Sequence, residues 1–285
     1  MKMKIILLMA LAILLVGGND FFSSAYGAYG YHDGPYGEDD GIHAGYQIGG
    51  IPDPNIKGWA TEVVDYWRPD GINFGTPDLV LGQPAGTFHV FSLGDGGWMT
   101  IAFDQVIVNG AGPDFAVWEN GFINVSVPPL GMLWAELMFV EVSSNGSDFA
   151  RFPSVCQNPA PMGGFDCIDP TYYHNVAGKH ANGNDGRDEG TPFDLDDLLS
   201  DPLVTQGLLD LNDIQYVKLI DVVGDGSTFD SLGNPMWDPY PTPFGTGGAD
   251  LDAICVLNTV PIPGAVWLLG SGLIVPAGIR RRQKR

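Results

Sequence analysis

Residues 88–119 of the chain read FHVFSLGDGGWMTIAFDQVIVNGAGPDFAVWE. Three short runs of aromatic and β-branched residues, at 88–93, 98–103 and 115–119, alternate with turns rich in Gly, Asp and Asn. Runs of this length, bounded by turn residues, are typical of strands that follow one another in an antiparallel sheet. The stretch therefore predicts a β-sheet protein.

The same pattern extends outward from this stretch. Further strand-like runs lie at 135–143, 216–223 and 251–257, and the run 59–67 is suited to opening the fold. The chain also contains 40 Gly and 22 Pro, which interrupt it every few residues. Many short strands separated by turns predict an all-β fold, an antiparallel β-sandwich of jelly-roll type with long loops.

One short helix is expected at 193–199. Thr191 and Pro192 precede it, and a proline at the first helical position is a common start signal. The single sandwich domain is expected to span 59–258, and the Gly-, Tyr- and His-rich residues 28–58 to form a flexible lead-in.

The N-terminal residues 1–27 have the layout of a secretory signal peptide. Lys2 and Lys4 precede an apolar run of about a dozen residues, followed by small residues around Ala25 and Gly27. That run is shorter than the roughly 20 residues of a membrane-spanning helix, so removal by signal peptidase after export is expected. The pattern leaves open whether cleavage follows Ala25 or Gly27.

The C-terminal residues 259–285 combine a turn, an apolar stretch and a basic cluster. The turn is Val260-Pro261-Ile262-Pro263, residues 261–279 are uncharged, and residues 280–285 carry five Arg and Lys side chains. An uncharged stretch of this length can span a bilayer, with the basic cluster on the cytoplasmic side. A permanent tail anchor is one interpretation.

This combination resembles the PEP-CTERM sorting signal, although Ile262 stands where the name implies Glu. The resemblance implies recognition by an exosortase in a Gram-negative bacterium that makes extracellular polysaccharide. It also implies export, transient insertion of 261–279 into the inner membrane, and final placement at the cell surface or in the extracellular matrix.

The body resembles a family of bacterial cell-surface proteins that often carry such tails. The similarity rests on segments such as 92–97, 112–122, 135–146 and 247–254. It implies architecture and location rather than a reaction.

The excess of acidic residues limits the kinds of partner that the body is expected to bind. The chain has 34 acidic and 13 basic residues, and only six basic residues remain once both ends are removed. So acidic a body is not expected to bind nucleic acid or anionic lipid through its overall field. It suits a secreted protein, or one that takes up divalent cations.

Carboxylates dominate the candidate site residues. Asp250 and Asp252 are two apart in a predicted strand and should share a face, and Asp221 is expected at the neighbouring strand end. Glu119 and Asn120 end another strand. Oxygen ligands of this kind suit Ca²⁺, so we expect a calcium site at Asp221, Asp250 and Asp252, with Glu119 and Asn120 as more distant ligand candidates for the same ion or a second one. A solvated acidic rim without an ion is the alternative.

The three cysteines divide into a pair and a single residue. Cys156 and Cys167 flank a turn-rich loop, and in an oxidising compartment we expect them to form a disulfide. Cys255 lies in an apolar run and is expected to be an inert buried thiol.

No signature of a hydrolase elbow, a zinc helix or a phosphate loop occurs in the sequence. Because these catalytic signatures are absent from the sequence, we predict a non-enzymatic cell-surface or matrix protein. One alternative is a polysaccharide-binding module, for which Trp237 and Tyr240, in a Pro-rich loop, are the aromatic candidates. Another is a carbohydrate-active hydrolase that uses a carboxylate pair.

Overall fold

The computed structural model describes residues 34–36, 41–45, 51–86, 88–124, 132–180, 182, 188–242 and 244–260. The predicted signal peptide and residues 261–285 of the predicted sorting tail lie outside the described residues.

The described residues form seventeen strands. In chain order they are β1 Ile42–His43, β2 Gly58–Trp59, β3 Glu62–Trp67, β4 Phe91–Ser92, β5 Trp98–Ile107, β6 Phe115–Glu119, β7 Phe122–Ile123, β8 Leu133–Trp134, β9 Met138–Ser143, β10 Ala150–Arg151, β11 Val155–Cys156, β12 Tyr173–His174, β13 Glu189–Phe193, β14 Ile214–Asp221, β15 Asp225–Phe229, β16 Pro235–Trp237 and β17 Asp250–Val256.

Two antiparallel sheets make up the main body. The first has the order β1-β13-β6-β17-β2, and β4 pairs with the start of β17. The second has the order β10-β9-β14-β5-β3. Strands distant in sequence are neighbours in both sheets, so the sandwich is formed by long-range pairing.

The main hydrophobic core lies between the two sheets. Alternate residues of β6 and β17 in the first sheet, and of β5, β9 and β14 in the second, point into it. Phe115, Phe152 and Phe193 form an aromatic group within it, with ring centroids 5.0–5.7 Å apart. Burial of these apolar faces is the main source of stability for the body.

A second cluster of buried residues covers the outer side of the second sheet. It contains Leu137, Phe139 and Val222, together with Tyr173 and Met236 from the short ladders β11–β12 and β15–β16. The Tyr173 hydroxyl donates to the carbonyl oxygen of Trp237 at 2.6 Å, which joins these two ladders.

The prediction of an all-β antiparallel sandwich is confirmed. The predicted run 115–119 coincides with β6, and the runs 98–103, 135–143, 216–223 and 251–257 correspond to β5, β9, β14 and β17. β5 is longer than its predicted run, and β9 begins three residues later. Within 59–67 the chain forms two strands, β2 and β3.

The predicted helix differs in detail. Thr191 and Pro192 lie inside strand β13, and a 3₁₀ turn follows at Leu195–Leu198. The Asp194 side chain caps that turn by accepting a hydrogen bond from the N–H of Asp196. A short helix, α1, follows at Pro202–Thr205 with Asp201 as its cap. The interpretation of Thr191-Pro192 as a helix start is therefore wrong.

Part of the expected lead-in belongs to the fold. β1 pairs with β13, and Ile42 and Ala44 are buried. The first sheet therefore begins before Trp59.

Among the described residues, no helix combines the length and the apolar character required to cross a membrane.

Candidate functional site: a buried acidic cluster

Five carboxylates lie at one end of the sandwich, and we call them the acidic cluster: Glu119, Glu136, Asp221, Asp238 and Asp250. The first sheet supplies two of them. Glu119 is the last residue of β6, and its partner across the ladder is Leu251, next to Asp250. The N–H of Asn120 also donates to the carbonyl oxygen of Asp250 at 3.1 Å. Antiparallel pairing therefore brings a strand end and a strand start together.

The second sheet and the β15–β16 hairpin supply the other three. Asp221 ends β14 opposite Met138, the first residue of β9, and Glu136 lies two residues before Met138. Asp238 directly follows β16, and its Oδ2 accepts a hydrogen bond of 2.6 Å from the N–H of Leu137. Three members of the cluster thus lie in strands, one directly follows a fourth strand and one precedes a fifth.

Asp221 connects two turns. Its Oδ2 accepts from the N–H of Gly96 at 2.8 Å, and its Oδ1 accepts from the N–H of Ala249 at 2.6 Å. The two turns pack so closely that a Cβ on Gly248 would lie only 2.4 Å from the carbonyl carbon of Gly94. Both oxygens of Asp221 are therefore already engaged in holding backbone.

Four members of the cluster are almost inaccessible to solvent. The exposed fraction is 4% for Glu119, 5% for Glu136, 3% for Asp221 and 2% for Asp238. Burial raises the pKa of each of these carboxyls well above its usual value. After burial, the charge of Asp250 raises the pKa of Glu119, and the charges of Asp238 and Asp221 raise that of Glu136.

Asp250 is partly buried, and burial raises its pKa to about 7. A hydrogen bond from the Ser92 hydroxyl to its Oδ1 opposes this rise. Asp95, at the tip of the 94–97 turn, lies near the cluster and adds to the rise in pKa of Asp221 and Asp238. The largest charge effects on the cluster thus come from other acids.

Glu119 has an oxygen without a partner. Its Oε2 is buried and accepts no hydrogen bond from the described residues. A Cβ placed on Gly121 would lie 2.7 Å from the Ala135 methyl carbon, 2.9 Å from this oxygen and 3.2 Å from the carbonyl oxygen of Trp134, so the surroundings of Oε2 are closely packed. A buried carboxylate oxygen left without a hydrogen bond is costly to the folded state.

Of the five predicted metal ligands, the structure brings Glu119, Asp221 and Asp250 into the cluster. Asp252 lies outside the cluster: its Oδ2 accepts from the Asn182 amide at 2.7 Å, and burial raises its pKa to about 7. Its buried Oδ1, like Oε2 of Glu119, accepts no hydrogen bond from the described residues. Asn120 adjoins the cluster through its backbone N–H.

Two members of the cluster are not predicted as site residues. Glu136 falls in a predicted strand, but nothing in the sequence assigns it to a site. Asp238 lies in a Pro-rich loop, and the positions of the predicted strands do not show where that loop lies. Among the described residues, no group of three or more His, Cys, Asp or Glu side chains is already arranged to hold a metal ion.

The cysteines are free thiols in the structure. Cys156 lies on β11 opposite Tyr173 and is 2% exposed, whereas Cys167 lies in a loop, where burial raises its pKa to about 11. The Cys156–Cys167 disulfide is not formed there and stays a prediction. Cys255 is fully buried on β17.

The two aromatic candidates for sugar binding are partly buried. Trp237 packs against the second hydrophobic cluster, and its ring covers Gly226, where a Cβ would meet it at 2.4 Å. Tyr240 has intermediate exposure. More exposed rings lie nearby at Phe165 and Phe244, whose centroids are 6.0 Å apart.

A scan against protein-family models found no match, and a search of curated proteins found none with significant similarity. Inference about function therefore rests on the residues of this chain alone.

Proposed function

We propose that the chain is a non-enzymatic, exported protein of the cell surface or extracellular matrix of a Gram-negative bacterium. Its sandwich is the displayed body, and its C-terminal residues are a PEP-CTERM-like tail handled by an exosortase. Export machinery and signal peptidase are the other partners in this proposal.

The observation that carries the non-enzymatic part is the burial of the acidic cluster. A carboxylate pair that hydrolyses a glycosidic bond must touch its substrate, one acid as proton donor and the other as nucleophile or base. Glu119 and Glu136 have perturbed pKa values but only 4% and 5% exposure. This burial favours a structural role over the hydrolase alternative.

The junction between body and tail supports the sorting part of the proposal. Thr259 forms an isolated antiparallel bridge with Ile107, and its hydroxyl donates to the carbonyl oxygen of Val106 at 2.7 Å. Val260 is 55% exposed. Thr259 is thus held to β5, and the exposed Val260 directly after it begins the predicted sorting motif.

The test is intact-mass measurement of the mature protein from its native host. We expect a C-terminus that lacks the basic cluster 280–285 in the wild-type host and retains it in a host without the exosortase. A mature product that ends at Arg285 in both hosts would overturn the sorting proposal.

Polysaccharide binding is a second candidate because of the exposed ring pair Phe165 and Phe244. The Gly164 backbone packs against Pro241, where a Cβ would lie 2.0 Å from the carbonyl oxygen, so this pair adjoins Tyr240. A glycan array with the wild-type protein and a Phe165→Ala, Phe244→Ala variant tests it. Binding that the variant loses would support the module, and equal binding by both would reject this surface.

A further inference from the structure

Two surface loops meet at a pair of aromatic rings that we call the phenylalanine pair, Phe165 and Phe244. The loops touch where the Gly164 backbone packs against Pro241. The ring centroids lie 6.0 Å apart with the ring planes tilted by 59°, and the two residues remain 62% and 49% exposed. Contact between the rings therefore leaves much of each ring open to solvent. Such rings offer a surface to a ligand with an apolar face or a positive charge.

Hydrogen bonds hold both loops in shape. In the first loop, the N–H of Gly163 donates to Oδ2 of Asp166 at 2.6 Å, and the N–H of Asp166 donates to the carbonyl oxygen of Gly163 at 2.9 Å. In the second loop, the N–H of Gly247 donates to the carbonyl oxygen of Phe244 at 3.0 Å. The rings are thus presented by closed turns, so a ligand that binds them needs to order little of the chain.

A carboxylate lies on each side of the phenylalanine pair. Asp166 directly follows Phe165 and is exposed. Asp95 accepts a hydrogen bond of 3.2 Å from the hydroxyl of Thr242, which lies two residues before Phe244. Hydrogen bonds from the described residues engage only one oxygen of each carboxylate. Each acid therefore has a second oxygen that a positively charged group of a ligand can bond.

The charges around the rings decide which kind of ligand fits. Within the described part of the chain, no lysine or arginine forms a salt bridge with Asp95 or Asp166. An acidic sugar would be repelled by both carboxylates and by the formal net charge of −21. A neutral sugar would gain nothing from the two charges. A protonated amine is attracted by the carboxylates and by the faces of the rings.

We propose that the phenylalanine pair, together with Asp95 and Asp166, binds a polysaccharide whose hexosamine units carry free amino groups. The apolar faces of the sugar rings lie against Phe165 and Phe244, and the ammonium groups bond the second oxygens of the carboxylates. This inference rests on the polysaccharide-binding candidate and names the class of sugar that it takes. Because acetylation of the amine removes its charge, the N-acetylated form of the same polymer binds less tightly.

The experiment compares two hexasaccharides that differ only in their amino groups, the glucosamine hexamer and its fully N-acetylated form. Each is titrated by calorimetry into the full chain, held in a detergent without a sugar headgroup. At a pH below the pKa of the sugar amine, we expect the free-amine hexamer to bind at least about tenfold more tightly. Added salt should reduce this preference, because it screens the ionic part of the interaction.

Two double variants separate the contribution of the rings from that of the charges. Phe165→Ala with Phe244→Ala removes both rings and should weaken the binding of either hexamer by about tenfold or more. Asp95→Asn with Asp166→Asn keeps the side-chain volumes and removes both charges. It should abolish the preference for the free amine and leave the affinity for the N-acetylated hexamer unchanged.

Two matched controls change similar residues elsewhere. Asp104 on β5 is an exposed acid that accepts a hydroxyl hydrogen bond from Thr61, as Asp95 does from Thr242. Phe229 on β15 is 58% exposed. Asp104→Asn and Phe229→Ala should both bind the free-amine hexamer as the wild-type chain does. Melting followed by circular dichroism checks that every variant is folded.

Equal affinity for the two hexamers would overturn the choice of an amino sugar and leave polysaccharide binding itself in place. Failure of both hexamers and of the glycan array would overturn both ideas. A peptide of eight lysines is the third ligand. If it binds as tightly as the free-amine hexamer and the Phe165→Ala, Phe244→Ala variant keeps that binding, the surface takes a cationic peptide and the proposal is wrong. Tail processing is read separately, by mass in the native host.

Discussion

At the scale of single residues, Gly248 is where the 247–249 turn meets the 94–97 turn. Its φ of +71° lies in the left-handed region, and a Cβ there would lie 2.4–2.6 Å from backbone atoms of Gly94. Gly207 has a similar φ of +73°, but a Cβ there would meet nothing within 4 Å. Replacing each glycine by alanine therefore distinguishes two contributions to the loss of stability: the left-handed backbone angle, present at both positions, and the steric clash with Gly94, present only at Gly248.

We expect Gly207→Ala to lower the free energy of unfolding by about 1 kcal/mol, from the left-handed angle alone. Gly248→Ala should lower it by more than about 2 kcal/mol, because the added methyl also displaces the Gly94 backbone. Urea denaturation followed by circular dichroism measures both. Equal losses would mean that the two turns move apart freely.

The candidate site is predictable from sequence only in part, and individual residues show why. Glu119, Asp221 and Asp250 end or begin strands, so a strand pattern places each of them at the end of a strand, but it does not show that strands of two different sheets bring them together. Asp252 is expected from the pattern to share a face with Asp250, but the ladder shifts register between Leu251 and Ala253 and breaks the simple alternation. No local pattern signals such a shift.

At the scale of elements, Asp114 holds the start of β6 to its neighbours. Its carboxylate accepts hydrogen bonds from the N–H groups of Gly110 and Leu195, each at 2.8 Å, and from the Asn258 amide at 2.9 Å. Its own carbonyl oxygen accepts from the N–H of Leu257. One fully buried side chain thus connects β6, the chain after β17 and the 3₁₀ turn after β13.

We expect Asp114→Ala to lower the free energy of unfolding by about 3 kcal/mol, because it leaves at least two backbone N–H groups without an acceptor. Asp201→Ala removes only the cap of the short helix α1, and should cost about 1 kcal/mol. Chemical denaturation of both variants gives the comparison. A loss at Asp114 no larger than that at Asp201 would contradict the connecting role.

Apolar strands are predictable as elements, whereas polar or very short strands are not. Strands rich in aromatic and β-branched residues, such as β5, β6 and β17, are recognisable from sequence, whereas β13 and β15, of five residues each, carry Gly and polar residues and are not predicted. Two-residue strands such as β7 and β8 carry no such signal, and long-range pairing alone defines them. In the sequence, Pro192 indicates a helix start because proline is rare inside strands. It is tolerated in β13 because β1 pairs only with Glu189 and Gly190, so no strand on the β1 side requires a hydrogen bond from the nitrogen of Pro192.

At the scale of the whole molecule, the acidic cluster should give the stability of the protein an unusual dependence on pH. A carboxyl whose pKa is raised in the folded state favours folding below its unfolded pKa. That contribution is lost as the pH rises through the folded pKa. Burial raises the pKa of every cluster member, and that of Asp250 reaches about 7.

The melting temperature should therefore fall as the pH rises from about 5 to about 8, by about 5 °C or more. Differential scanning calorimetry at several pH values measures this fall. A melting temperature that climbs over this range would show that the cluster does not govern stability.

The bridge between Thr259 and Ile107 also determines where a mechanical force applied to the C-terminal tail would enter the folded body. If the tail is held at a surface, tension enters the sandwich through Thr259 and then β17, which is paired with β6 on one side and with β2 and β4 on the other. Pulling along that strand shears several hydrogen bonds together instead of opening them one by one. Drag from flowing medium on a body held in this way would therefore load several backbone hydrogen bonds at once.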